Sequence, residues 1–300
     1  HRIVEALSAV GITEPFPIQS LTLPIALGGN DIIGQAKTGT GKTLGFGLPV
    51  IQNVLNVTQK TDLPKALVVV PTRELATQVA KDLETAAAKT EIRVGVFYGG
   101  KAYEPQVAEL QAGIDIVVGT PGRLIDLMNQ KILKLNEVRM LVLDEADEML
   151  DMGFLPDVEK LLKNLPSSKQ MMLFSATMPG QIINLARSHM NNPTHLNATD
   201  PNDESSVVDA IEQHVWRAHP LDKNELIGRI LQAQGRQLVI IFCKTKRNAQ
   251  NVFEDLTERG FNAGAIHGDM GQNARESALK KLRAGKVDVL VATDVAARGL

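Results

Sequence analysis

Short apolar runs alternate with longer helical patterns along most of this chain, and that alternation restricts the fold more than any single residue does. Residues 31–34, 66–70, 93–97, 114–118, 140–143 and 171–174 are short runs of largely apolar, β-favouring residues and read as strands. Between them, segment 72–88 places Leu75, Val79 and Leu83 at helical spacing, and 121–129 does the same with Leu124, Leu127 and Met128. Such helices serve as crossovers that bring successive strands into a parallel sheet covered on both faces. The predicted class is α/β, with a doubly wound parallel sheet. The polar stretch 191–206 breaks the pattern and reads as a linker between a first domain, 1–202, and a second, 203–300. A lead strand at 213–217 and strands at 237–242, 261–266 and 287–292 repeat the architecture. The repeat stops short of the roughly 150 residues usual for such a domain, so the second sheet is expected to be C-terminally incomplete.

A 44% hydrophobic content over 300 residues supports a sizeable core and excludes a disordered or collagen-like chain. The apolar runs fall far below the roughly 20 residues that span a bilayer, so no membrane segment is expected. One cysteine, Cys243, has no internal disulfide partner, which fits a reducing compartment and makes the cytoplasm the expected location. The net charge of −2 excludes a global basic footprint, so any nucleic-acid contact must be local.

The strongest local signal is Ala36-Lys37-Thr38-Gly39-Thr40-Gly41-Lys42-Thr43, directly after an apolar strand and before a helical run. Glycines 39 and 41 let backbone N–H groups turn inward onto phosphate oxygens, Lys42 reaches the β- and γ-phosphates, and the Thr43 hydroxyl can ligate Mg²⁺. The usual phosphate-binding loop opens with Gly where this chain has Ala36. Further on, strand 139–143 ends in Asp144-Glu145-Ala146-Asp147, and ligands of open α/β sheets sit at strand carboxyl ends. There Asp144 can hold Mg²⁺ through its water shell, while Glu145 orients and deprotonates an attacking water. A solvated acidic helix start is the plain alternative for this tetrapeptide alone.

Asp-Glu-Ala-Asp at 144–147, with the loop above and Ser175-Ala176-Thr177 downstream, resembles the DEAD-box RNA helicases. The likeness runs through nearly the whole chain. Gly11-Ile12-Thr13-Glu14-Pro15-Phe16-Pro17-Ile18-Gln19 is similar to the family's adenine-sensing motif, with Gln19 as the amide that pairs with adenine and Ile12 and Phe16 as variant fillers. Pro71-Thr72-Arg73-Glu74-Leu75-Ala76, Gly99-Gly100 and Thr120-Pro121-Gly122-Arg123 match its first-domain RNA motifs. Ile241-Phe242-Cys243-Lys244-Thr245, Gln272-Asn273-Ala274-Arg275 and Thr293-Asp294-Val295-Ala296-Ala297-Arg298-Gly299 continue the series in order. The resemblance implies two tandem RecA-like domains, ATP and Mg²⁺ as cofactors, and RNA as partner. It also implies RNA contacts at Thr72, Arg73, Gly99, Gly100, Thr120, Arg123, Lys244, Thr245, Gln272, Arg275, Thr293 and Arg298. Ser175, Thr177 and Asp147 would couple the nucleotide site to domain closure, and Asp294 would approach the nucleotide. The family's last motif, His-Arg-Ile-Gly-Arg-Thr-Gly-Arg, is not in the chain. Its arginines act on the γ-phosphate, and fingers of that kind are worth roughly 10³–10⁵ in rate, so poor ATP hydrolysis is expected of these residues alone.

Thr72 and Thr120 each follow a strand and open a helical pattern, where exposed N–H groups suit phosphate and Arg73 and Arg123 add charge. Aromatics make up 4% of the chain and none interleaves with these motifs, so contact with the sugar-phosphate backbone is expected over base stacking. Three readings stay open: an RNA-stimulated ATPase that separates short duplexes, an ATP-gated RNA clamp, and a DNA translocase on the same plan. Trp216 and Cys243 read as core residues, and His267 as a hydrogen-bonded loop histidine.

Overall fold

Ala-Leu-Val-Val in β2 (Ala66–Val69) is buried on both sides, the condition that helices on two faces impose on a parallel strand. The computed structural model, which describes residues 2–36, 39–58, 61–197, 212, 214–219 and 222–293, divides into two units, His1–Asp203 and Glu204–Leu300. In the first, β2 lies within a seven-stranded sheet with β1 (Ile32–Gln35), β3 (Val94–Phe97), β4 (Ile116–Gly119), β5 (Met140–Leu143), β6 (Gln170–Ser175) and β7 (Thr194–Asn197). The order is β3-β4-β2-β5-β6-β1-β7, and every pairing is parallel. The doubly wound sheet expected from the alternation is present.

The two faces divide the helices. Ala66, Val68 and Val70 point into one core, shared with α1 (Arg2–Ala9), α2 (Pro17–Leu27), α3 (Lys42–Leu55) and α4 (Arg73–Ala87). Leu67 and Val69 point into the other, shared with α5 (Tyr103–Gln111), α6 (Pro121–Asn129), α7 (Ala146–Asp151), α8 (Leu155–Lys163) and α9 (Gly180–His189). Alternation at period two feeds both cores from one strand. On α4 the predicted stripe Leu75, Val79 and Leu83 is buried, and each such side chain contributes roughly 1.5–3 kcal/mol by leaving water. Gly47 of α3 lets that stripe approach, since a Cβ there would lie 2.6 Å from Leu83 Cδ2.

Three sequence expectations need correction. The stretch 191–206 expected to be linker contains β7, which pairs along β1 from Ile32–Thr194 to Gln35–Asn197; residues 198–206 lie outside the described residues. β7 escapes a pattern search because Leu196 is its one buried residue, so backbone pairing at a sheet edge, with no apolar face to show, makes the strand. Of the expected lead strand, residues 214–217 have no regular structure, and Gln213 lies outside the described residues. Trp216 is 58% exposed, with its ring centroid 5.5 Å from that of His214, so it is not core.

The second unit holds a three-stranded parallel sheet in the order β8-β10-β9, from β8 (Val239–Cys243), β9 (Ala263–Ile266) and β10 (Val289–Thr293). Leu231 of α10 (Lys223–Leu231) and Val252 and Leu256 of α11 (Lys246–Glu258) pack on one face; Leu279 and Leu282 of α12 (Gln272–Arg283) pack on the other. Cys243 is buried in the first of these cores, and His267 Nε2 lies 2.9 Å from Gln250 Oε1.

At the amino-terminal edge of the first sheet, the buried Asp31 carboxylate accepts backbone N–H groups from Met171 at 2.7 Å and Asn191 at 2.6 Å. Hydrogen bonds to a charged acceptor contribute about 1.5–3 kcal/mol each. Asp31→Ala should therefore lower unfolding stability in urea by about 3 kcal/mol or more, with Asp31→Asn losing less because one acceptor oxygen survives. Equal stability of Asp31→Ala and the parent would remove the carboxylate from this role.

Candidate functional site

β1 delivers the chain to Ala36, whose N–H donates to the Ser175 carbonyl at 3.2 Å on the neighbouring strand. Ala36 is buried, so this position takes a methyl group where the usual loop has hydrogen. Gly41, the N-cap of α3, has φ +80°, a left-handed conformation that side chains disfavour. A Cβ there would also lie 2.6 Å from Phe16 Cδ2 and 2.8 Å from Gln19 Nε2. Gln19 is buried and uses both ends of its amide: Nε2 donates to the Gly41 carbonyl at 2.8 Å, and Oε1 accepts the Phe16 N–H at 3.0 Å. Gly39 also has positive φ, at +79°. Thr40 and Thr43 are half-buried, while Lys37 and Thr38 lie outside the described residues.

Lys42, in the first turn of α3, points its ammonium group at the end of β5. Its Nζ is buried, has no hydrogen-bond partner among the described residues, and lies 3.6 Å from Asp144 Oδ1. Asp144 donates its own N–H to the Val69 carbonyl at 3.0 Å and accepts the Glu145 N–H at 3.0 Å. Burial pushes its carboxyl above the usual range, against the pull of Lys42. Glu145 has φ 52° and ψ 53°, a left-handed backbone on a non-glycine residue, which costs on the order of 1–3 kcal/mol. Burial, then the Asp144 carboxylate, pushes Glu145 up to about 7, with Lys42 opposing.

β6 lies between β1 and β5, so Ser175 ends a strand flanked by the two strands just described. Its Oγ accepts the Asp147 N–H at 3.1 Å, and Asp147 Oδ2 accepts both the N–H and the hydroxyl of Thr177 at 2.9 Å each. The three proposed coupling residues form one hydrogen-bonded clasp. Burial opposes ionisation of Asp147, but bonds from Ser175, Thr177 and the Glu148 N–H outweigh it and hold the carboxyl below its ordinary value.

The other half of the sheet, β2, β4 and β3, gathers the first-domain motifs assigned to RNA. Thr72 caps α4, its hydroxyl accepting the Leu75 N–H at 3.2 Å, and Thr120 caps α6 with no side-chain cap bond. Gly119 keeps these strand ends close: a Cβ there would lie 2.5 Å from the Phe97 carbonyl oxygen. Arg73 and Gly99-Gly100 meet, since a Cβ on Gly100, at φ +84°, would overlap the Arg73 guanidinium. Arg123 lies 4.0 Å from Asp126, with its guanidinium carbon 5.1 Å from the Tyr103 ring centroid and a buried Nη1 that has no acceptor among the described residues.

In the second unit, Thr293 ends β10 beside Cys243 of β8, which sets it next to the strand end followed by Lys244 and Thr245. Thr245 caps α11 by accepting the Asn248 N–H at 3.2 Å, Lys244 is exposed, and Arg275 is half-buried in α12, which Gln272 opens. Asp294 and Arg298 lie outside the described residues.

Residues 16–185 match the family model described as DEAD/DEAH box helicase, and 222–300 match that of the helicase conserved C-terminal domain. The chain belongs to the DEAD/DEAH box helicase family. It is 44% identical over 300 residues to the ATP-dependent RNA helicase CshA of Listeria monocytogenes and 44% identical over 300 residues to the DEAD-box ATP-dependent RNA helicase CshA of Geobacillus kaustophilus. Both alignments cover 100% of this chain, and they span 56% and 63% of the respective relatives. Among solved structures, S. cerevisiae Dbp5 bound to RNA and ADP BeF3 is similar with a TM-score of 0.87 at 29% identity, over 100% of this chain and 75% of that one. The tandem RecA-like, α/β character expected of a DEAD-box chain is thereby established.

Within this DEAD-box site, pattern reading missed two supports. Phe16, treated as filler, packs its ring against Gly41, and Tyr103 lies under Arg123. Tyr103 carries a faint signal, an aromatic three residues after Gly100 at the start of a helix. The clasp yields a prediction. A depressed carboxyl contributes stability above its unfolded pKa and loses it as pH falls through the folded one. The Thr177 amide resonance should thus hold steady from neutral pH through the ordinary Asp range near ~3.9 and move only below it. Ser175→Ala should bring that transition back up; an unshifted transition would disprove the clasp.

Proposed function

We propose that this chain is the core of an ATP-dependent RNA helicase, hydrolysing ATP in response to RNA and coupling hydrolysis to local separation of RNA duplexes. The observation that carries the reading is the Lys42 ammonium, buried 3.6 Å from Asp144 and without a hydrogen-bond partner among the described residues. A buried cation with an unmet donor set is costly unless an anion completes it, and a triphosphate on the glycine-rich loop supplies one. The Thr43 hydroxyl and Asp144, the latter through water, are the groups that would hold Mg²⁺; bound there, the ion neutralises phosphate charge. Gln19 keeps one lone pair and one N–H beyond its bonds to Phe16 and Gly41, enough for a hydrogen-bonded pair with adenine. Glu145, near neutrality, is suited to take the proton of the attacking water.

The RNA part of the proposal draws on the relatives named as RNA helicases, on Dbp5 bound to RNA, and on a chemical fit. Thr72, Thr120, Arg73, Arg123 and the Gly99-Gly100 turn line adjacent strand ends, with Arg123 Nη1 lacking an acceptor among the described residues. Hydroxyls, guanidinium groups and helix N–H groups recognise phosphate and sugar without reading sequence.

ATP hydrolysis by the intact protein should be stimulated by single-stranded RNA and much less by matching DNA. Equal or greater stimulation by DNA would establish a translocase instead, and no stimulation by either would remove the RNA assignment. Glu145→Gln should lower turnover by about 10²–10⁴-fold while ATP binding is retained, the range a positioned general base supplies; undiminished turnover would remove Glu145 from its role.

A further inference from the structure

Gln106 belongs to none of the motifs above. It lies in α5 and is buried beside Leu110 on the helix face that meets the sheet. Its amide uses both ends across one short loop. Oε1 accepts the Tyr98 N–H at 3.1 Å, and Nε2 donates to the Ala102 carbonyl at 2.9 Å and the Tyr98 carbonyl at 3.4 Å. Tyr98 and Ala102 are the posts of the turn 99–101, so a single side chain ties the turn's entry to its exit.

The turn so tied carries the RNA-facing features. Gly100 sits at φ +84° with the Arg73 guanidinium against it, and Lys101 places Nζ 5.1 Å from the Tyr98 ring centroid. A leucine or methionine would fill the same volume without the cost of burying an amide. Among the described residues the amide's hydrogen bonds go to the loop posts, and a buried amide bonded at both ends fixes one geometry where an apolar contact would tolerate several.

We propose that Gln106 is a positioning residue for RNA binding: it holds the 99–101 turn against Arg73 in the shape that admits a phosphate backbone. This rests on the RNA-facing reading of the proposed function. The test is binding of a fluorescein-labelled uridine decamer to the intact protein with a non-hydrolysable ATP analogue, across a salt series. The proteins compared are the parent, Gln106→Met, Gln106→Glu, Gly100→Ala, and Gln106→Met with Gly100→Ala. Gln106→Met should weaken RNA binding about tenfold, the worth of one or two net hydrogen bonds. It should also flatten the slope of log affinity against log salt by about 0.7, the loss of one single-strand phosphate contact. Affinity for the ATP analogue should stay unchanged. Gln106→Glu, which keeps an acceptor for the Tyr98 N–H but turns a carboxylate oxygen on the Ala102 and Tyr98 carbonyls, should weaken binding at least as much. The double variant should bind no worse than the weaker single one, because both changes release the same turn; a general packing defect would add to the Gly100 effect. Parent-like affinity and slope in Gln106→Met, or additive losses, would overturn the proposal. If Gln106→Met does not fold, Gln106→Glu is judged by the same slope and affinity. A parent that binds no RNA would instead sink the RNA-facing reading itself.

Discussion

Parallel pairing is the constraint on which this molecule depends. Seven strands running the same way put seven carboxyl ends along one edge of the first sheet, and each end is where a strand gives way to a helix or a loop with free N–H groups. Strands β1, β6 and β5 supply Lys42, Ser175 and Asp144, while β2, β4 and β3 supply Thr72, Thr120 and the Gly99-Gly100 turn. The opposite edge carries a different kind of residue. There Asp31 gathers backbone N–H groups, and the buried Lys65 ammonium is held by Glu137 at 2.5 Å, the Leu63 carbonyl at 2.8 Å and Thr61. Charge on that side is spent within the fold; charge on the carboxyl side is left partly unmet.

Glu145 and Asp147 show how local partners decide ionisation. Two residues apart, they are pushed in opposite directions: burial dominates at Glu145, with a second carboxylate adding to it, whereas hydrogen bonds outweigh burial at Asp147. One is suited to exchange a proton near neutrality and the other to stay charged as an acceptor. The left-handed backbone at Glu145 separates the two environments, since it breaks the run between β5 and α7 at the point where the side chains diverge.

Much of this was legible because burial on both faces of a parallel sheet forces continuous apolar strands, and five of the six first-half runs match observed strands to within one residue at each end, the sixth to within two. β4 shifted most, since Gly119 pairs in the ladder although glycine reads as a strand end. β7 was invisible because its pairing is backbone alone. The segment around Trp216 misled in the reverse direction: alternation suggested a half-buried strand, yet Val215 is 96% and Trp216 58% exposed. For the site, glycine-rich and acidic motifs stand out because phosphate chemistry restricts their residue types. Gln106 does not stand out, since its partners are backbone groups that leave no mark in the sequence. Its one trace is a polar residue four before Leu110 on a buried helix face.

The position of β6 makes one residue a common anchor for two segments of this unit. Ala36 and Asp147 both bond to Ser175, so the phosphate loop and the acidic tetrapeptide are each one inter-strand gap, about 4.8 Å, from the same residue. A displacement of Ser175 would move both of these bonds together, because its carbonyl serves one segment and its hydroxyl the other.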